Sequence, residues 1–238
     1  MIDQPDAVRQ DLYGYADAEK AAFLPKFFQA FPGGYGEGDQ FIGVTVPHQR
    51  KTARKHFREL SLKGLEGLIR DRVHECRLTA VFILVLKYEK AKREDEREEL
   101  LKFYLNNLSS INNWDLVDSS AYKILGPGLY EKDRSLLYRL AGSGNLWRER
   151  IAVISTLYFI RNKDYEDTLK LAVMLLNHEH DLIHKAVGWM LREVGNRDFD
   201  VEYEFLKENY QKMPRTMLRY AIEKFSPELR KKFLAGQV

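Results

Sequence analysis

An all-α chain built from stacked helix pairs is what this sequence predicts, on three observations. Apolar residues recur three and four positions apart almost everywhere, as in RLTAVFILVLKYEKA, EELLKFYLNNL, RIAVISTLYFI and DTLKLAVMLLNH. That spacing draws one apolar stripe along a helix. The strict alternation of a half-buried strand is nearly absent. The chain also repeats itself. When ECRLTAVFIL, NNWDLVDSSA, RERIAVISTL, IHKAVGWMLR and PRTMLRYAIE are aligned, small or apolar residues coincide at Ala80, Leu116, Ala152, Ala186 and Ala221, at spacings of 36, 36, 34 and 35 residues. Each period holds this helix, a turn and a second apolar helix, which is the signature of an α-α superhelix, or solenoid. The repeats are degenerate and closer to HEAT-like units than to a tetratricopeptide array. About a dozen helices with short connections are expected, in a single HEAT-like repeat domain over residues 1–238.

Helix boundaries follow from local chemistry. Pro47 in VPHQRKTARKHF and Pro214 in KMPRTMLRYAIEKF stand where helices begin, since a first-turn residue needs no N–H partner. Ser226 before Pro227 reads as an N-cap. The mixed-sign run AKREDEREE, residues 91–99, reads as a solvated helix start. One long irregular stretch remains, FPGGYGEGDQFIGVTV at 31–46. It lacks the GK[ST] ending of a phosphate loop and no strand precedes it, so a connecting or DNA-facing loop is expected.

Composition narrows the class. With 238 residues, 45% of them hydrophobic, the chain can bury a sizeable core. No stretch approaches ~18 consecutive apolar residues, so no membrane span is expected. The first residues, MIDQPDAVRQDLYGYAD, do not read as a secretory signal. A single cysteine, Cys76, leaves no internal disulfide framework and fits a reducing cytoplasm; it reads as a buried small residue. Thirty-eight basic residues against thirty-five acidic ones give +3, which permits nucleic-acid binding without arguing for it.

The period places a set of chemically unusual residues on one side of successive helices. With the aligned position as zero, Trp114 and Asp118 stand at −2 and +2, Arg150 at −2, Lys185 at −1, Trp189 at +3 and Arg219 at −2. Equivalent helices of a solenoid lie side by side, ~10 Å apart, so these side chains are expected to line one continuous concave face. Arginine and lysine suit phosphate oxygens, and tryptophan stacks on a base, a sugar or a cation. The carboxylate is the odd member, because it repels a phosphate backbone. It makes sense where positive charge develops, as on an alkylated purine or on the sugar cation formed when an N-glycosidic bond breaks.

The chain resembles the DNA alkylation repair glycosylases of the AlkD type. The stretches that carry the likeness are FIGVTVPHQR (41–50), NNWDLVDSSA (112–121), GSGNLWRERIAVIS (142–155), IHKAVGWMLREVG (183–195) and MPRTMLRYAIEKF (213–225), in order and at suitable spacing over most of the chain. The resemblance implies a C-shaped stack of HEAT-like repeats that excises N3- and N7-alkylated purines, such as 3-methyladenine and 7-methylguanine, from duplex DNA. It implies Asp118 as the catalytic carboxylate, Trp114 and Trp189 packing on the deoxyribose, and Arg150 supporting the DNA near the lesion. Lys185 and Arg192 fall in a matching motif as candidate backbone contacts. The likeness also implies a lesion that stays stacked, with no base pocket. It implies a monofunctional enzyme that leaves an abasic product, needs no metal or organic cofactor, and acts as a monomer in the bacterial cytoplasm, nucleoid-associated when bound.

Taken singly, each residue has a plainer reading. Asp118 suits a solvent-facing helix and Asp115 a first helical turn. Trp114 and Trp189 suit a core. Arg150 suits a surface ion pair. Arg50, Lys51, Arg54, Lys55 and Arg58 in RKTARKHFREL form either a solvated face or a DNA-backbone contact. His180 and His184 have i,i+4 spacing, but HExxH and a third ligand are missing, so a turn is expected there and no metal. Two non-enzymatic alternatives stand beside the glycosylase: a HEAT-like protein that binds distorted or branched DNA, and a protein-interaction scaffold with an apolar groove.

Overall fold

Every stretch that the period marks as helical is a helix. The computed structural model describes residues 3–238, and among them there is no strand, only one isolated parallel bridge between Gln40 and Val73. No helix among the described residues is long and apolar enough to cross a membrane. By its contacts the chain divides into two compact units, residues 1–124 and 125–238.

The first unit holds α1 (Asp6–Tyr13), α2 (Ala18–Phe27), α3 (Val46–His56), α4 (Leu62–Ile69), α5 (His74–Lys90), α6 (Glu94–Asn106) and the first turns of α7 (Trp114–Leu129). Helix α5 is its axle. Thirteen of its residues are buried, from His74 to Tyr88, and α1, α3, α4 and α6 pack around it. A helix apolar on nearly all sides has no solvent face to offer and ends up in the middle. Helix α2 is the opposite case. It buries no residue, although it carries Phe23, Leu24 and Phe27. Helix α6 begins as its charge pattern predicts, with Glu94, Asp95 and Glu96 in the first turn, where carboxylates favour the helix dipole.

The second unit holds α8 (Ser135–Ala141), α9 (Leu146–Ser155), α10 (Leu157–Arg161), α11 (Glu166–Met174), α12 (Asp181–Gly195), α13 (Phe199–Asn209), α14 (Arg215–Ala221) and α15 (Pro227–Ala235). Helix α12 is central here, packed by α9, α10, α11, α13 and α14. The five aligned positions, Ala80, Leu116, Ala152, Ala186 and Ala221, are all 0% exposed. They sit on α5, α7, α9, α12 and α14, so the period marks the inner helix of each pair. Ser226 caps α15, accepting from the Leu229 N–H at 3.3 Å. Pro47 is the second residue of α3, and Pro214 stands just before α14 rather than inside it.

The 31–46 stretch is a connecting loop whose first half is largely exposed and whose residues 40–44 are tied to the start of α5. Gln40 pairs with Val73, and the Glu75 carboxylate accepts from three successive amides, those of Ile42, Gly43 and Val44, at 3.1, 2.8 and 3.3 Å. Gly43 has φ +81°, and a Cβ there would lie 2.0 Å from the Asp17 carbonyl oxygen, so only glycine fits.

Glu202 on α13 is a costly feature of the second unit. It is 2% exposed, and its Oε1 has no hydrogen-bond partner. It packs on Gly195, where a Cβ would collide with the carboxyl group. Burial pushes its carboxyl up to about 9, only partly offset by Arg192. Between the ordinary value of 4.5 and 9 the folded state holds a proton that the unfolded chain releases, so stability falls as the pH rises through that window. Glu202→Gln removes this loss. In urea unfolding, wild type is expected to weaken relative to Glu202→Gln by roughly 1.4 kcal/mol per pH unit over that window. A pH-independent difference would show that the carboxyl is ionised in the fold.

Candidate active site

Helix α7 starts on a buried asparagine. Asn113 is 0% exposed; its carbonyl accepts from Val117 N–H, and its side-chain oxygen accepts from Trp114 N–H at 2.8 Å. This fixes the first turn and with it Trp114, Asp115 and Asp118. Asp115 accepts from Leu116 N–H at 2.8 Å, as a first-turn carboxylate should. It also meets His74 at the start of α5, Nε2 to Oδ2 at 2.8 Å. The other ring nitrogen of His74 lies 3.0 Å from Asp39, and Arg77 donates to the second oxygen of Asp39 at 2.6 Å. Two cations and two carboxylates thus form a nearly dry chain, with His74 2% and Arg77 5% exposed.

The electrostatics follow from burial and pairing. Burial alone would lower His74, but the carboxylates of Asp115 and Asp39 outweigh it and raise the imidazole to about 9. Burial likewise works to raise Asp39, and His74 and Arg77 overcome it and hold its carboxyl below the ordinary value. His74 is therefore an imidazolium at neutral pH.

Aromatic rings build outward from this chain. Phe28 lies 4.6 Å from the His74 ring, stacks on Phe41 at 5.4 Å and on Trp114 at 5.4 Å, and Phe27 meets Trp114 edge-on at 6.0 Å. Beside them is a cavity of about 420 Å³ walled by Leu24, Phe27, Phe28, Phe41, Phe82 and Trp114, with Gln49, Asp118 and Ser119 among its polar lining. A smaller cleft of about 160 Å³ shares Asp118 and Ser119 with that cavity and is edged by Arg50, Arg54 and Lys123. Arg50 lies over the Phe82 ring at 4.3 Å, and Lys123 pairs with Glu89 at 3.1 Å. Asp118 and Trp114 are half-buried; Arg50 and Arg54 are exposed. The first unit therefore brings together four of the residues singled out in the sequence.

The others lie in the second unit. Arg150 on α9 is 5% exposed and donates to the Leu182 carbonyl at the start of α12. Lys185 pairs with Asp181 at 2.7 Å, Trp189 donates to Glu193 at 3.3 Å, and Arg192 pairs with Glu223 on the segment after α14. Arg219 is exposed on α14. The two histidines do not form a turn: His180 stands just before α12 and His184 lies in its first turn. His180 caps α12 by accepting from Leu182 N–H at 3.1 Å, His184 donates to the His178 carbonyl, and His178 pairs with Glu149 at 2.9 Å. Cys76 is buried, and burial, with Asp71 nearby, pushes its thiol up to about 12, far from a nucleophile's range.

Several residues here carry no signal in the sequence. Asp39 and Asp115 reach His74 across 35 and 41 residues, so no local spacing announces them. Phe41 and Gln49 do lie in the FIGVTVPHQR stretch, but nothing in that stretch assigns them a role.

A family model described as "DNA alkylation repair enzyme" matches residues 8–225. The chain belongs to the DNA alkylation repair enzyme family. Among solved structures it is similar to a predicted DNA alkylation repair enzyme from Enterococcus faecalis, at 17% identity and TM-score 0.69, covering 89% of this chain and 97% of that one. It is also similar to AlkD2 from Streptococcus mutans, at 18% identity and TM-score 0.57, covering 88% and 99%. At these identities the likeness carries the fold. No curated protein matches the chain. Membership in this repair family, with its HEAT-like helical fold, gives the aromatic and basic features around Asp118 a DNA context.

The His74 chain predicts a pH response. His74 holds its proton more tightly in the folded state, so its stabilisation is whole below 6.5 and is lost as the pH rises through 9. The urea-unfolding gap between wild type and His74→Gln is expected to be widest near about pH 6 and to shrink by roughly 1.4 kcal/mol per unit through that window. A gap that widens at high pH would contradict an imidazolium at this position.

Proposed function

We propose that this chain is a monofunctional DNA glycosylase that hydrolyses the N-glycosidic bond of cationic N3- and N7-alkylated purines in duplex DNA. It works as a monomer, with both units acting as one domain and with no metal or organic cofactor. The observation that carries this is the position of Asp118, on the wall shared by an aromatic cavity and a cleft edged with Arg50 and Arg54.

The chemistry needs little else. Alkylation gives the purine a positive charge, so no acid has to protonate the leaving group. When the C1′–N9 bond breaks, its electron pair passes to the base, which leaves neutral, and the sugar becomes an oxocarbenium ion. The Asp118 carboxylate stabilises that cation. A water oxygen then bonds to C1′ and gives its proton to Asp118, from which it passes to solvent, leaving an abasic site. Trp114 packs on the sugar, and Trp189 is the second tryptophan to which the resemblance gives that task. Arg150 supports the strand near the lesion. Arg50, Arg54, Lys185, Arg192 and Arg219 neutralise phosphates.

The exposed Phe23, Phe27 and Phe31 favour one other reading, a protein-interaction scaffold with an apolar groove. Release of 7-methylguanine from methylated duplex DNA separates the two. Wild type is expected to release the base, and Asp118→Asn to lose roughly 10²–10³-fold in rate while binding DNA normally. No release of either 7-methylguanine or 3-methyladenine by a folded wild type would reject the glycosylase. Arg54→Ala is expected to weaken binding of all duplexes alike and to lower the slope of log K against log salt by about 1. An unchanged slope would remove Arg54 from the interface.

A further inference from the structure

Three residues line both the apolar cavity and the smaller cleft: Phe82, Asp118 and Ser119. Two of them are polar, and they are neighbours on α7. A serine inside a helix commonly turns its hydroxyl back on a carbonyl one turn earlier. Ser120 does so, donating to the Leu116 carbonyl at 2.7 Å and meeting the Tyr104 hydroxyl at 3.0 Å, and it is wholly buried. Ser155 donates in the same way to the Ile151 carbonyl at 2.6 Å. Ser119 does not. Among the described residues its hydroxyl has no hydrogen-bond partner, and the residue is half-buried on the wall of both recesses, open to whatever fills them.

The two recesses differ in what they can hold. The cavity is walled mainly by aromatic and aliphatic side chains and offers water little. The cleft, about 160 Å³, is edged by Arg50, Arg54 and Lys123. Liquid water takes about 30 Å³ per molecule, so the cleft has room for a few waters and none for a nucleotide. A well-held water makes about two to four hydrogen bonds. The cations at the edge can only donate to it. At the junction Asp118 can accept from it, and so can Ser119.

We propose that Ser119 is the positioning residue for the attacking water, which it holds together with Asp118 where the two recesses meet. The proposal rests on the glycosylase reading, and it leaves the lesion in the stack with its sugar toward Asp118. The water gives one O–H to the Asp118 carboxylate and the other to Ser119 Oγ. A lone pair is then left for C1′. As the oxygen bonds to C1′, the first proton passes to Asp118. The second hydrogen stays on the oxygen that joins the sugar, and Ser119 keeps its own proton. A carboxylate alone leaves the water free to swing about a single hydrogen bond. Two acceptors fix the lone pair in the orientation that the reaction needs.

A competing alcohol tests this. Methanol has one O–H and cannot serve both acceptors, so the Ser119 contact favours water over methanol. Methylated duplex DNA is incubated with excess enzyme in buffer containing methanol, and the ratio of methyl glycoside to abasic site is measured. Alkali cleaves at abasic sites and spares methyl glycosides, which separates the two. Ser119→Ala removes the acceptor at a helical position that alanine suits, so the fold is kept. It is expected to raise the ratio roughly fivefold, the worth of one hydrogen bond, with DNA affinity unchanged. Ser119→Thr keeps a hydroxyl and is expected to keep the wild-type ratio. An unchanged ratio in Ser119→Ala would overturn the proposal while leaving the glycosylase in place. A ratio raised equally in Ser119→Thr would also overturn it, by showing that space and not the hydroxyl selects water. No release of 7-methylguanine by wild type would overturn the glycosylase reading and the proposal with it.

Discussion

The Asp39–His74–Asp115 chain, with Arg77 at one end, is the interaction on which the first unit's functional geometry depends. It joins three segments that sequence keeps apart: the end of the glycine-rich stretch, the start of α5 and the first turn of α7. Such a cluster is expensive to bury, and removing one member leaves another charge without a partner. That asymmetry makes it a device for position rather than a source of stability. It holds Asp115 in place, and through the first turn of α7 it holds Trp114 and Asp118. It also supplies the ring against which Phe28 and Phe41 pack.

Two aspartates one turn apart are thereby given different tasks. Asp115 faces an imidazolium and is committed to it. Asp118 lines two recesses, one apolar and one edged by arginines. In the second unit, Lys185, Trp189 and Arg192 are each braced by an acidic residue, Asp181, Glu193 and Glu223. Such bracing fixes where each of these long side chains points.

Periodicity made the helical architecture legible, because burial of an inner helix demands a small or apolar residue at the same phase in each repeat. Ala80, Leu116, Ala152, Ala186 and Ala221 meet that demand and are fully buried. Trp114 and Asp118 stood out for the same reason, being unusual residues at a repeated phase. What stayed illegible was whatever departs from the repeat. Asp39, His74 and Arg77 carry no phase in common, and their pairing depends on a fold that brings distant segments together. The stretch at 31–46 looked like a connector because its glycines suggest freedom. In the structure Gly43 is there for the opposite reason, since its positive φ and its contact with Asp17 leave the backbone no alternative.

Glu75 gives that stretch a further meaning. Successive backbone amides turned toward one point form a nest for an anion, and in many proteins a phosphate fills it. Here the amides of Ile42, Gly43 and Val44 converge on a carboxylate from α5. The chain thus carries its own anion in a place where a nucleotide-binding protein would keep a vacancy. Residues 40–44 of the glycine-rich segment are thereby tied to the start of α5.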